Sequence, residues 1–343
     1  MNNSKNTLFE KFFARYVTKE DFSNQFNTLR NELSKLVEDL RQDDLTYANR
    51  VRQELDNVIA MLRLEDQNSR FDITGTLSFE SKQRVENAES ELFDELMQTR
   101  LALSRDRFLN QQNPVSPVQF PKIHFNTFEE YLKKFKNLHP HLYEVWASIN
   151  LDVNIKEFKN NPYGSCSVTT RPSARMFRGF IAPYLQGKVL DVGCGPYSVP
   201  HYLKNYPINM IAGIDPIEPF EPHPFEFVQG FAEFLPWEDS TFDVVIAATS
   251  LDHVISLDHA LQEIRRILKP EGIFLVWDWF SKEAKPYIPE EKSPQLIDKY
   301  HLFHFSEEWF EELMGKHYSI EEKAHLKGFY SPDRFYALQL ISK

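Results

Sequence analysis

Residues 189–197 read Val-Leu-Asp-Val-Gly-Cys-Gly-Pro-Tyr. A short apolar run ends on Asp191 and Val192 and turns through Gly193 and Gly195. It then meets Pro196, near the start of an expected helix over Tyr197–Asn205. Proline suits a first helical position, where its fixed φ is pre-organised and its missing N–H costs nothing. Glycines at 193 and 195 let the backbone approach a ligand closely and adopt dihedrals closed to other residues. Strand, glycine turn and helix in this order open an α/β sheet whose ligands sit beyond the carboxyl ends of the strands.

The flanking sequence repeats this alternation. Strands are expected over 188–192, 209–214, 225–228, 242–248 (FDVVIAA) and 272–277 (GIFLVW). Leu257, Leu261, Ile264 and Leu268 space a helix between the last two. Alternating strands and helices predict a parallel sheet covered on both faces, with right-handed crossovers fixing most of the topology.

The ligand chemistry follows from the acids. A dinucleotide fingerprint would carry glycine at position 198, where this chain has serine. Asp191 at the strand end suits an ammonium or sulfonium charge and would repel a pyrophosphate, which disfavours a nicotinamide oxidoreductase. Asp215 ends the second strand, 20 residues past Gly195, where an acid accepts ribose hydroxyl bonds. Each feature alone reads equally as a βα turn with a solvated acid. Together, Asp191, Gly193, Gly195 and Asp215 specify a nucleoside-containing ligand.

VLDVGCGP (189–196), GID (213–215), GFAEFLPWEDSTFDVVIAATSLDHV (230–254) and LQEIRRILKPEG (261–272) resemble the ordered motifs of class I S-adenosylmethionine-dependent methyltransferases, in the ubiquinone/menaquinone-type group. The resemblance spans 175–343, about half the chain. It implies a Rossmann-like α/β sheet of seven strands, parallel except for one C-terminal strand at 336–342. It implies S-adenosyl-L-methionine as cofactor. Asp191, Gly193, Cys194 and Gly195 would line its methionine part and Asp215 its ribose. Phe231, Ala232 and Glu233 fall on the adenine segment, with Phe231 where the family usually places an Asp. Thr249 would face the reacting methyl. Tyr197 replaces the usual third glycine of the first turn.

The acceptor side is less defined. Asp252 and His253 follow the fourth strand, and His253 is a candidate general base. The competing role for His253 is capping the next helix. His304 joins these two as a catalytic candidate. Tyr163, Trp279 and His301 are acceptor-binding candidates, and Trp277 could also stack on a sugar face, although core packing explains such aromatics equally well. His301 and His304 alone, without a third ligand, are a weak metal signal, and no metal is expected. The run from YGSCSVTTRPSARMF (163–177) through HLFHF (301–305) resembles methyltransferases that accompany glycosyltransferases in surface-polysaccharide synthesis. That implies O-methylation of a sugar or polysaccharide-linked acceptor. A quinone-like or other small metabolite is the alternative acceptor.

The first third of the chain has another texture. Phe22, Phe26, Leu29, Leu33, Leu36 and Leu40 are spaced 4, 3, 4, 3, 4, the seam of a coiled coil. Val51, Leu55, Val58 and Leu62 resume after a stutter. The expected organisation is a helical/coiled-coil region over 1–109, a proline-bearing linker over 110–122, a helical cap over 123–174 and the methyltransferase domain over 175–343. Thr127 and Glu130 predict a capping box at the start of a helix over 126–136. The coil predicts self-association or an assembly partner, and a non-catalytic scaffold is the reading in which it is the working part.

The 343 residues carry 39 Lys and Arg against 50 Asp and Glu, a net charge of −11. That acidity argues against general nucleic-acid binding, whose affinity comes mainly from phosphate contacts. Two cysteines, Cys166 and Cys194, cannot form a disulfide framework. With no apolar run of membrane length and no leader-like start, a cytoplasmic location without a transmembrane segment is expected.

Overall fold

Strand β1 (Val189–Val192) alternates its side chains between two apolar layers. Leu190 and Val192 enter one core, with Ala212, Ile214, Val245 and Phe274. Val189 enters the other, with Ile211, Val244, Ile246 and Leu275. That period-two sorting, with both faces apolar, is what a sheet buried on both sides requires. The computed structural model describes residues 118–123, 127–162, 171–289, 299–326 and 332–341, with scattered helical residues between 90 and 104. The coiled-coil seam, Tyr163 and Cys166 lie outside the described residues.

The other strands are β2 (Ile211–Asp215), β3 (Glu226–Gln229), β4 (Phe242–Ala248), β5 (Leu268–Trp279), β6 (Tyr318–His325) and β7 (Asp333–Leu340). They form one sheet in the order β3-β2-β1-β4-β5-β7-β6. β1 to β5 pair in parallel, and β7 runs antiparallel to both β5 and β6. This is the seven-stranded sheet with one reversed C-terminal strand that the resemblance implies. The strand order switches direction between β1 and β4, which places a ligand crevice at their carboxyl ends.

Helix α1 (Phe128–Leu138) begins on the expected capping box: Thr127 accepts from Glu130 N while Glu130 accepts from Thr127 N. α2 (Pro140–Ala147), a π-helical stretch (Ser148–Asn154) and α3 (Ile155–Asn160) continue without a break. α4 (Pro172–Ile181), α5 (Leu257–Ile267) and α6 (Glu307–Gly315) complete the described helices.

The expected helix over 197–205 is not formed. Only a 3-10 turn, His201–Leu203, follows β1. Pro200 sits within that span, pushing Val199 out of the α region and removing a backbone donor. Trp277 is fully buried against Phe177 and Phe335 and donates to Asp333 Oδ1 at 2.6 Å, so it is a core residue and faces no acceptor.

Upstream residues also join this fold. Met97 is fully buried in the layer under α4, and a Cβ on Gly179 would sit 2.2 Å from its carbonyl oxygen. Arg100 makes a buried ion pair with Glu322 on β6 at 2.6 Å. Residues at the end of the proline-bearing run are pinned: Ile123 N donates to Pro236 O, and Glu238 N donates to Pro121 O.

Candidate functional site

The turn after β1 is built from two left-handed glycines, Gly193 at φ +77° and Gly195 at φ +74°. A Cβ on Gly193 would lie 2.3 Å from that of Ser250, so no larger residue fits. Gly193 N and Cys194 N both donate to Ile214 O. Gly195 N donates to Asp215 Oδ2 and Ile217 N to Asp215 Oδ1, each at 2.8 Å. Asp215 thus clamps the turn to the end of β2. Burial pushes its carboxyl up to about 6, against the pull of those two N–H groups. Burial also raises the Cys194 thiol, keeping it protonated and unreactive.

These groups line one cavity of about 350 Å³ together with Phe231, Ala232, Glu233, Thr249, Asp252, His253, Trp279 and His301. Asp191 and His304 do not line it. Asp191 points to the opposite face of β1, is fully buried, and accepts from the Tyr202 hydroxyl at 3.0 and 3.2 Å. Burial pushes its carboxyl up to about 8. Tyr202 itself lines the cavity, so its ring links the wall to Asp191.

The resemblance implies an Asp at position 231, and packing accounts for the phenylalanine found there. Its ring stacks on Phe135 at 4.0 Å between centroids and meets Trp146 edge-on at 5.5 Å. The helices α1 and α2 therefore press an aromatic block onto the segment where an acid would be stranded. Glu233 is buried and accepts from Ile255 N and Ser256 N, which fixes the loop after β4.

That loop carries the polar side of the cavity. Thr249 follows β4 directly at φ +52°, an outlier for a β-branched residue and a conformation that clusters at functional sites. Ser250 Oγ donates to Val192 O at 2.7 Å, tying the ends of β4 and β1. Asp252 and His253 stand on a 3-10 turn, Leu251–His253. His253 does not cap α5; Ser256 is the N-cap residue there. His253 Nε2 is 3.5 Å from Asp252 Oδ1, and His301 Nε2 is 3.9 Å from Asp252 Oδ2. The His301 ring lies 5.0 Å from those of both His253 and His304. Asp278, at the end of β5, is buried beside Asp252, and burial and that neighbour hold its carboxyl well above the usual range.

The helices upstream close the other wall. Trp146 Nε1 donates to His253 O at 3.1 Å, Asn154 Nδ2 to Tyr300 O at 3.2 Å, and Tyr197 OH to Phe158 O at 2.6 Å. Asn150 and Asn154 project from the π-helical stretch into the cavity. Sequence reasoning passed over this pair, although two amides at i and i+4 mark one helix face. It also passed over Asp278, whose signal is the one used for Asp215: an acid at a strand's carboxyl end. Nothing local in the sequence marks Tyr202.

Residues 190–276, from β1 to β5, match the family described as a methyltransferase domain. A 105-residue stretch is 36% identical to sterol 24-C-methyltransferase of Gibberella zeae, covering 27% of each chain. Over 63 residues the identity is 46% to the ubiquinone/menaquinone biosynthesis C-methyltransferase of Hahella chejuensis, 18% of this chain and 25% of that one. Over 92 residues it is 36% to the mitochondrial arginine-hydroxylase NDUFAF5 of Homo sapiens, 25% of this chain and 27% of that one. The chain thus spans about a quarter of the length of these curated relatives.

Proposed function

We propose that this chain, which matches a methyltransferase domain over residues 190–276, is a class I S-adenosylmethionine-dependent enzyme that transfers a methyl group to a hydroxyl of a small polar acceptor such as a sugar or polysaccharide-linked saccharide. One observation carries the reading. A single cavity joins the Gly193–Gly195 and Asp215 cradle to a wall of Asp252, His253, Trp279 and His301.

The cradle fits the cofactor. Asp215 is 5% exposed and lines the cavity, and each of its oxygens holds one backbone donor and keeps a lone pair for a ribose hydroxyl. Gly193, Cys194 and Gly195 would border the methionine part, and Phe231 and Ala232 the adenine. When bound, S-adenosylmethionine supplies a methyl carbon on an already activated sulfur leaving group. The chain's own contribution is position and exclusion of water. Thr249 and the Ser250–Val192 tie fix the floor at the ends of β4 and β1. α1 to α3 cover the opening. His253 takes the acceptor's hydroxyl proton as the C–O bond forms, and Asp252 orients that imidazole. Trp279 offers a ring face to a sugar, while Asn150 and Asn154 offer amide partners for hydroxyls.

The second reading keeps the transfer and changes the acceptor to a quinone-like or other ring metabolite. The aromatic-rich segment from the end of β5 onward, with Trp279 and Tyr300 lining the cavity, favours it, as do the names of the sterol and quinone relatives. In the third reading, methyl transfer is absent and an N-terminal coil assembles a scaffold. The N-terminal coil tethers the enzyme to an assembly partner or a second copy. Among the described residues, no helix is long and apolar enough to cross a membrane; we place the enzyme in the cytoplasm.

Calorimetry with S-adenosylhomocysteine, followed by a labelled-methyl screen across saccharides and quinones, tests the reading. Micromolar binding and label in a saccharide support it. Label only in a quinone or other ring selects the second reading. A folded chain that binds no cofactor leaves the scaffold.

A further inference from the structure

We propose that Asp252, His301 and His304 form a binding site for one divalent transition-metal ion. One carboxylate oxygen and one nitrogen from each imidazole lie within 4.8 Å of one another. A tetrahedral ion with bonds of ~2.1 Å sets its ligand atoms roughly 3.4 Å apart, so small rotations of the two rings close the set. Two imidazoles and one carboxylate suit Zn²⁺, Fe²⁺, Co²⁺ or Mn²⁺ better than Mg²⁺ or Ca²⁺, which favour all-oxygen shells.

The backbone holds the ligands together. Leu302 N donates to Asp252 O at 3.1 Å, locking the histidine-bearing segment to the turn after β4. Asp252 and Asp278 are each 1% exposed and line the same cavity, where two like charges are costly without a proton or a cation beside them. His253 Nε2 lies 3.5 Å from Asp252 Oδ1 and His301 Nε2 3.9 Å from Asp252 Oδ2, so the two imidazoles approach different oxygens of one carboxylate.

The site is asymmetric with respect to the cavity. Asp252 and His301 border it, and His304 lies behind, 8% exposed. Three protein ligands leave an ion with an open position, and that position faces the cavity. There the ion would hold an acceptor oxygen and ease loss of its proton. This use rests on the transferase reading; the binding of the ion does not.

Full-length chain treated with a chelator and titrated with Co²⁺ tests the site. The expected result is a visible d–d band saturating at one ion per chain, with affinity falling at least ~10-fold in His301→Gln and lost in His301→Gln/His304→Gln. Far-UV circular dichroism checks that each variant folds. If the double variant does not fold, X-ray absorption of the Zn²⁺-loaded wild type must show two imidazoles in the first shell. No band in the wild type, an unchanged band in a folded double variant, or a shell with fewer than two imidazoles overturns the proposal. S-adenosylhomocysteine binding measured on the same sample separates failure of the metal site from failure of the transferase reading.

Discussion

Gly195 N and Asp215 Oδ2 are 2.8 Å apart, which makes the glycine turn after β1 and the acid after β2 one structural unit. The acid therefore shapes the cradle as well as contacting its contents. Asp215→Ala should weaken S-adenosylhomocysteine roughly 10-fold or more, since hydrogen bonds to a charged group are worth about 1.5–3 kcal/mol each. Because burial holds the free carboxyl at about 6, cofactor binding should be flat above pH 7 and fall as pH drops through 6. The carboxylate is the form that accepts ribose donors, and protonation competes with them. Asp215→Asn should bind more weakly and lose this pH dependence. Calorimetry between pH 5 and 8 reads both outcomes.

Glu233 predicts a stability change of defined sign. Burial lifts its carboxyl to about 7 from its ordinary 4.5, with Ser256 N and Ile255 N pulling the other way. Between those values the folded state holds more protons than the unfolded state, so this group's contribution to stability falls as pH rises from 4.5 to 7. Glu233→Gln keeps an acceptor for both N–H groups and removes the charge. Relative to wild type, the variant should gain stability from pH 5 to pH 8, by about 3 kcal/mol at most. Urea denaturation at the two pH values measures the difference.

Phe231 separates packing from recognition. Phe231→Ala should cost about 3–5 kcal/mol, because its ring fills the space between Phe135 and Trp146. Phe231→Asp, the residue the resemblance implies here, should be worse, since it adds an unpaired buried charge. Cofactor affinity in any folded Phe231→Ala protein should change less than stability does. Thermal melts with and without S-adenosylhomocysteine give both numbers.

Arg100 predicts that the chain upstream of the sheet matters to its stability. Its guanidinium donates to both oxygens of Glu322 and to Phe180 O, and Tyr184 OH donates to Glu322 as well. Arg100→Met strands a buried carboxylate and should cost about 3–5 kcal/mol. Arg100→Met/Glu322→Leu should recover much of that loss, because an apolar pair of similar volume often replaces a buried ion pair without penalty. Denaturant midpoints for the single and double variants decide it.

The sheet was legible because its strands are local. FDVVIAA is a buried run whose ends coincide with β4, and the acids at 191 and 215 mark strand ends directly. What failed was non-local or stereochemical. Pro200 breaks the helix expected over 197–205 after the glycine turn and Pro196. β5 runs to Trp279, past the expected end at Trp277, because β7 pairs with it as far as Asp333. The strand-end position of Asp191 implies a ligand contact, yet the pleat turns it to the far face, where it accepts from the Tyr202 hydroxyl. The nearness of His301 and His304 to Asp252 has no local signal either, because Asp252 follows a separate strand end. Pairings that only tertiary structure creates leave no periodicity to read.

His253 offers the most direct test of the chemistry. Its backbone carbonyl accepts from Trp146 Nε1, so removing the side chain leaves that tie in place. Thr249 and Ser250 anchor the other end of the turn to β1 and β5. His253→Ala should therefore fold normally and bind S-adenosylhomocysteine within about threefold of wild type, a difference under 1 kcal/mol. Loss of a positioned proton acceptor costs a factor of ~10²–10⁴ in rate. With an acceptor from the labelled-methyl screen, kcat should fall by that factor while KM changes little. An unchanged kcat would mean that the acceptor needs no base here, as expected for methyl transfer to carbon or to an already ionised oxygen. It would then favour a quinone-like acceptor over a saccharide.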